Sequence, residues 1–181
     1  MTTRAAETPH DLWVFGYGSL MWRPDFVYDE RQKALLRGWR RRLCIYSHIY
    51  RGTADRPGLV LGLDRGGACH GVAFRVDASA REATVRYLRE RELVTAVYLE
   101  RTVPVTLSDG RRVSALAYVA DRAHRQYAGI MPRDRLLSLV RQGVGRFGDN
   151  AEYVINTRDH LRELGIVDSQ LEWLTAQLRA A

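Results

Sequence analysis

The hydrophobic pattern of this chain changes in a fixed order: strands first, one helix, a hairpin, then helices to the end. That order restricts the fold more than any single motif does. Residues 12–16, Leu-Trp-Val-Phe-Gly, are a short aromatic and β-branched run closed by glycine, the pattern of a buried strand. Residues 34–50 read as one or two strands around Trp39, Cys44, Ile45, Tyr46 and Ile49, and residues 51–58 are dense in turn formers. Strand-like runs follow at 59–63 and 70–76, with Asp64-Arg65-Gly66-Gly67 expected as the turn between them. A helix is expected over 78–93, where Ser79 and Glu82 have the spacing of a capping box. Runs at 101–107 and 113–120 flank Ser108-Asp109-Gly110, a hairpin signal. Helical patterns then cover 134–142, 151–164 with Gly165 at its end, and 168–178 with Asp168 as the cap. The order is that of an α+β fold with a largely antiparallel sheet able to curl into a barrel, and not the regular alternation of a doubly wound parallel sheet. With 181 residues, one domain is expected over 1–181, residues 1–10 forming a flexible tail.

Composition removes several classes of function. Two cysteines, Cys44 and Cys69, are too few for a disulfide framework and lack metal-ligand spacing, and His10, His48, His70, His124 and His160 are scattered without a zinc pattern. No P-loop ending is present, so neither a metal nor another cofactor is expected. The first ten residues have no apolar run and no stretch approaches the roughly 20 apolar residues of a membrane span, so the expected place is the cytoplasm, off the membrane. The net charge of +7 raises nucleic acid as a partner, and 27 of the 28 basic residues are arginine, Lys33 being the exception. The densest group, Arg37, Arg40, Arg41 and Arg42, is broken by Gly38 and Trp39, and elsewhere arginines alternate with acids, as in Arg89-Glu90-Arg91-Glu92. A solvated basic surface is expected rather than a nucleic-acid footprint.

Two places can carry chemistry. Gly16-Tyr17-Gly18-Ser19-Leu20 follows a buried strand, and glycines flanking an aromatic residue let backbone N–H groups converge on a carboxylate or an oxyanion. The same letters also suit a tight turn around a packed tyrosine. On the helix, Glu92 projects onto the stripe of Thr84, Val85 and Leu88, while Glu82 and Glu90 point elsewhere. A carboxylate on an apolar stripe is paired, end-exposed or functional; burial raises its pKa and suits it to take and return a proton. Pattern alone leaves open a frayed helix end paired with Arg91. Ser19 lacks the spacing of a nucleophile elbow, and Cys44 sits in a strand pattern as a core residue.

The blocks Val14-Phe15-Gly16-Tyr17-Gly18-Ser19-Leu20 with Trp22-Arg23-Pro24-Asp25-Phe26, Arg51-Gly52-Thr53 with Pro57-Gly58, Gly71-Val72-Ala73-Phe74-Arg75, Tyr87-Leu88 with Arg91-Glu92, and Gly148, Asn150, Glu152 and Tyr153 together resemble the ChaC-like γ-glutamylcyclotransferases, from about residue 12 to 175. The resemblance implies a mixed, mainly antiparallel β-barrel with flanking helices, whose Tyr17, Gly18, Ser19 and Leu20 bind a γ-glutamyl group. It implies that Glu92 is catalytic, that Arg51 helps to hold the substrate, and that glutathione is cyclised to 5-oxoproline without cofactor or metal. The chain departs from the resemblance at Leu93-Val94-Thr95-Ala96-Val97-Tyr98, where many relatives have Lys-Gly-Gly-Tyr, and at Gly145-Arg146-Phe147-Gly148, which lacks the usual Pro-Ser. Two other readings remain: a cyclotransferase for another γ-glutamyl amine, and a non-catalytic module binding an anion or nucleic acid on the same fold.

Overall fold

In the computed structural model, which describes residues 10–180, five strands close into a barrel in the order β1-β3-β2-β4-β5. The expected tail lies outside the described residues except for His10. The strands are β1 (Leu12–Gly16), β2 (Glu30–Ser47), β3 (Gly58–Val76), β4 (Tyr98–Leu107) and β5 (Arg112–Ala120). Neighbours pair antiparallel except at the seam, where β1 lies parallel to β5 through Trp13↔Ala115 and Val14↔Leu116. Four longer helices flank the barrel: α1 (Arg81–Glu92), α2 (Arg133–Gln142), α3 (Asn150–Glu163) and α4 (Ser169–Arg179). A two-residue pair, β6 (Val144–Gly145) and β7 (Gly148–Asp149), precedes α3.

The expected turn at 64–67 does not exist as a turn. β3 runs unbroken through it, paired with β2 from Glu30↔Arg75 to Ser47↔Gly58. Flat strands of this length would reach about 60 Å, so they must bend to close a barrel. They bend where β2 has a register shift between Arg37 and Trp39, and Gly38, Gly66 and Gly67 take positive φ of +83°, +98° and +69° there. The 108–110 hairpin is as expected, with Gly110 at φ +91°. The helix cap is corrected by two residues: Asp77 accepts from the Ser79 N–H and opens a short turn over Ala78–Ala80, and α1 starts only at Arg81. Asp168 caps α4 by accepting from the N–H groups of Gln170 and Leu171, and Gly165 ends α3 at φ +67°.

Packing sorts the helices onto two sides. Leu136, Val140, Val154, Leu161, Leu171 and Leu174 from α2, α3 and α4 join one core with Phe15, Leu36, Leu63 and Phe74 of the barrel. Leu88 of α1 packs instead with Leu12, Val14, Leu20, Val76 and Tyr118. The arginine cluster is not wholly solvated: Arg41 is buried, and Arg42 pairs with the fully buried Asp64 at 2.9 Å, beside Arg122 at 2.8 Å. Among the described residues no helix is long and apolar enough to cross a membrane.

Candidate active site

β1 ends at Gly16, and the chain folds back on itself at once. A Cβ on Gly16 would come within 3.1 Å of the Leu20 Cβ, so the tight return leaves little room for a side chain there. Ser19–Met21 then form a single 3₁₀ turn, closed by the Met21 N–H on the Gly18 carbonyl at 2.9 Å. The first N–H groups of such a turn, on Ser19 and Leu20, have no carbonyl behind them within it. Gly18 is different from Gly16. An added Cβ there would meet only Leu61, at an ordinary 3.8 Å. The side of Gly18 is open because it borders a cavity.

That cavity, about 90 Å³, is lined by Tyr17, Gly18, Ser19 and Leu20 of the loop, by Glu92, and by Phe15, Leu61, Tyr98, Tyr118 and Tyr153. The structure therefore brings together five of the six expected site residues. Arg51 is not on the cavity wall. Its guanidinium donates to the carbonyls of Phe147 and Asp149 at 2.7 and 3.3 Å and lies 5.2 Å from the centre of the Tyr153 ring, behind that wall. The glycines of the 51–58 block are packed equally hard: added Cβ atoms on Gly52 and Gly58 would collide with backbone at 2.1 Å.

Glu92 is the last residue of α1, with a side chain 20% exposed. Loss of water raises its pKa above the ordinary 4.5, and Arg91, with Nε 3.3 Å from Glu92 Oε1, opposes that rise without cancelling it. The negative end of the helix dipole disfavours a carboxylate at the same place. Arg91 also donates to Ser19 Oγ at 2.9 Å and to the Arg23 carbonyl at 2.7 Å, so one guanidinium ties the carboxylate to the loop opposite. From below, buried Arg41 donates to the Tyr17 carbonyl at 2.6 Å and to the His70 carbonyl at 2.7 Å, fixing the loop to β3.

Three tyrosines were absent from the expected site, and each has a distinct task. Burial pushes all three phenols above the usual tyrosine value, Tyr153 to about 12, so they remain hydroxyls at neutral pH. Tyr98 donates to the Leu61 carbonyl at 2.7 Å, and the Leu61 N–H donates to the Tyr153 hydroxyl at 3.2 Å. Tyr153 is left with its own proton to donate. Tyr118 points its hydroxyl away, to Glu100 at 3.0 Å. Tyr153 was visible beforehand within a late sequence block, whereas Tyr98 and Tyr118 look like ordinary strand aromatics until the barrel closes. A larger cavity, about 800 Å³, lies against the outer side of α1, but its Glu100 is held below the usual carboxylate range by Arg89 and stays ionised. Among the described residues no three His, Cys, Asp or Glu side chains form a metal-ligand group.

A carboxylate of raised pKa facing a glycine-bearing loop and a free phenol can move a proton while an oxyanion is held. The model of the ChaC-like protein family matches residues 12–181. The chain belongs to the ChaC-like family. Within it, the chain is 34% identical over 168 residues to the glutathione-specific gamma-glutamylcyclotransferase of Escherichia coli, covering 93% of this chain and 73% of that protein. It is 34% identical to the human glutathione-specific gamma-glutamylcyclotransferase 1, covering 87% and 72%. The crystal structure of the yeast cyclotransferase specific to glutathione superposes with a TM-score of 0.81 over 94% of this chain and 99% of that one, at 21% identity, a likeness of fold. The barrel with flanking helices is thus the ChaC-like arrangement.

Proposed function

We propose that this chain is a γ-glutamylcyclotransferase that cleaves glutathione to 5-oxoproline and cysteinylglycine, with Glu92 moving the proton. The observation that carries the reading is the raised pKa of Glu92 on the wall of the 17–20 cavity. The names of the E. coli and human relatives support the substrate. Folding the glutamyl end into the cavity brings its α-amine onto its own γ-carbonyl, an attack helped by holding the reacting atoms together. Glu92 takes the ammonium proton, and the freed amine closes a five-membered ring on the γ-carbonyl carbon. The tetrahedral oxygen is held by loop N–H groups or by the Tyr153 hydroxyl. Glu92 then returns that proton to the amide nitrogen, the bond between the γ-carbonyl carbon and this nitrogen breaks, and cysteinylglycine leaves as an ammonium after taking the second proton, which the ring nitrogen sheds. No water is consumed, so the reaction is that of a carbon–nitrogen lyase. Arg51 acts from behind, steadying Tyr153. We place the enzyme in the cytoplasm, whose reducing conditions suit its buried, unpaired Cys44 and Cys69 thiols.

Mass spectrometry of the products tests the reading. Glutathione should give 5-oxoproline and no free glutamate, and glutathione N-acetylated at the glutamyl amine should give no product at all. Cleavage of the blocked peptide at a comparable rate would mean that water or Ser19 is the nucleophile.

A further inference from the structure

The cavity beside the 17–20 loop is too small for a whole tripeptide. At about 90 Å³ it falls well short of the roughly 300 Å³ at which small-molecule sites begin. A second space, a groove of about 410 Å³, opens on the other side of Glu92 and shares both Glu92 and Tyr98 with the cavity. Its walls are mainly apolar, with Ile45, Val60 and Val97. It offers space for the part of the substrate beyond the scissile bond. In the cyclotransferase reading Glu92 serves both the amine that loses a proton and the nitrogen that gains one.

Two polar groups in the groove are unmatched. Arg125 is exposed there and has no ion-pair partner among the described residues, whereas its neighbour Arg122 is held by Asp64. Arg91, the other cation of the groove, is engaged by Ser19, Tyr87 and Glu92. The buried Nδ1 of His48, which also lines the groove, has no hydrogen-bond partner among the described residues. The segment bearing Arg125 is fixed to the end of β2: the Tyr46 N–H donates to the Gln126 carbonyl at 2.8 Å, Gln126 Nε2 returns a bond to the Tyr46 carbonyl at 3.0 Å, and Tyr127 bridges to Ile45. The charge therefore sits at a defined place on the rim. Cysteinylglycine ends in a carboxylate about 7 Å along an extended chain from the scissile nitrogen.

We propose that this groove is the leaving-group subsite and that Arg125 recognises the C-terminal carboxylate of the departing dipeptide. The proposal rests on the cyclotransferase reading. It makes Arg125 a specificity-determining residue for γ-glutamyl dipeptides with a free C-terminus, as against γ-glutamyl amines without one.

Steady-state kinetics on glutathione and on its glycine ethyl ester test the assignment. Arg125→Ala should raise the KM for glutathione about tenfold or more, the effect of removing a charge-assisted contact, with kcat little changed. Wild type on the ester should resemble Arg125→Ala on glutathione, and the two enzymes should converge on the ester. An unchanged KM for glutathione, or equal loss on both substrates, overturns the proposal. Calorimetry in the Glu92→Gln background reads the subsite without turnover. Glutathione should bind about tenfold or more weaker once Arg125→Ala is added, and the ester should not; binding indifferent to the glycine carboxylate overturns the subsite. Failure of wild type to form 5-oxoproline overturns the cyclotransferase reading instead.

Discussion

In the folded chain the Glu92 carboxylate has lost most of its water, faces one guanidinium, and ends a helix whose dipole opposes it. Its pKa is raised, so the proton is held more tightly folded than unfolded. Stability therefore declines as pH rises from the ordinary 4.5 through the raised folded value, and above that value the penalty stays constant. Glu92→Gln removes the charge and keeps the shape. At neutral pH it should lower turnover by about 10²–10⁴-fold, the usual share of general acid–base catalysis, while the melting temperature holds or rises. Glu90→Gln, on another side of α1, should alter neither. A Glu92→Gln protein that keeps its activity, or one that melts early, would remove Glu92 from its role. The same titration sets the acid limb of kcat/KM, which should lie above the pH range of an ordinary glutamate. Gly18 gives an independent probe. Gly18→Ala meets no clash, yet its methyl enters the lining of a cavity of about 90 Å³. The variant should melt within a few degrees of wild type and lose activity at least tenfold, on the order of what a misplaced substrate costs.

At the level of elements, the site depends on long-range ties that hold α1, α3 and the loop against one barrel end. Asn150, at the start of α3, is buried and makes two bonds of 2.7 Å to Leu59, donating to its carbonyl and accepting from its N–H. Asn150→Ala leaves both groups of a central strand unpaired and should destabilise the fold by about 2–4 kcal/mol in urea unfolding. Asn150→Asp, which keeps the acceptor alone, should be intermediate; a silent Asn150→Ala would show that Leu59 finds other partners. Local signals such as Asp109-Gly110 or the Asp168 cap were legible because one residue's own chemistry decides them. Helical period put Glu92 on a stripe but left open a frayed end paired with Arg91; only the fold sets it on the cavity wall. Gly66-Gly67 misled because a positive φ serves a turn and a barrel bend equally, and only the partner strand, shifted at Arg37/Trp39, decides between them. Tyr98 and Tyr118 were illegible for a related reason. They sit on β4 and β5, and which face of a strand becomes a cavity wall is set by closure of the β1–β5 seam. Arg51 lies in a different layer from the cavity wall, since its partners are carbonyls 96 and 98 residues further on.

For the molecule as a whole, the formal charge is 28 − 21 = +7, yet several of the basic residues are buried or paired with acids. Arg41 is buried under the Tyr17 carbonyl, and Arg42 is paired with buried Asp64. Arg75 is shared among Asp11, Asp29 and Glu30, Arg111 pairs with Asp109, and Arg158 and Arg162 both hold Glu172. Each such pair offers a phosphate less than a free cation would, because the carboxylate competes for it and repels the incoming charge. Long-range attraction from the net charge persists, so contact with a polyanion is not abolished; it should be weak and screened over about 8–10 Å at physiological salt. Fluorescence anisotropy with a labelled duplex DNA at about 0.05 M salt should give at most the roughly 10⁻⁴–10⁻⁶ M of sequence-independent contacts, vanishing near 0.2 M. A single-faced footprint predicts the opposite, tight binding that survives 0.2 M salt and competes with glutathione for Arg125 or the loop. That result would favour a binding module built on the ChaC-like fold. Weak binding that salt removes, with turnover of glutathione unaffected by added DNA, leaves the arginines as the solubilising and bracing charges of an enzyme.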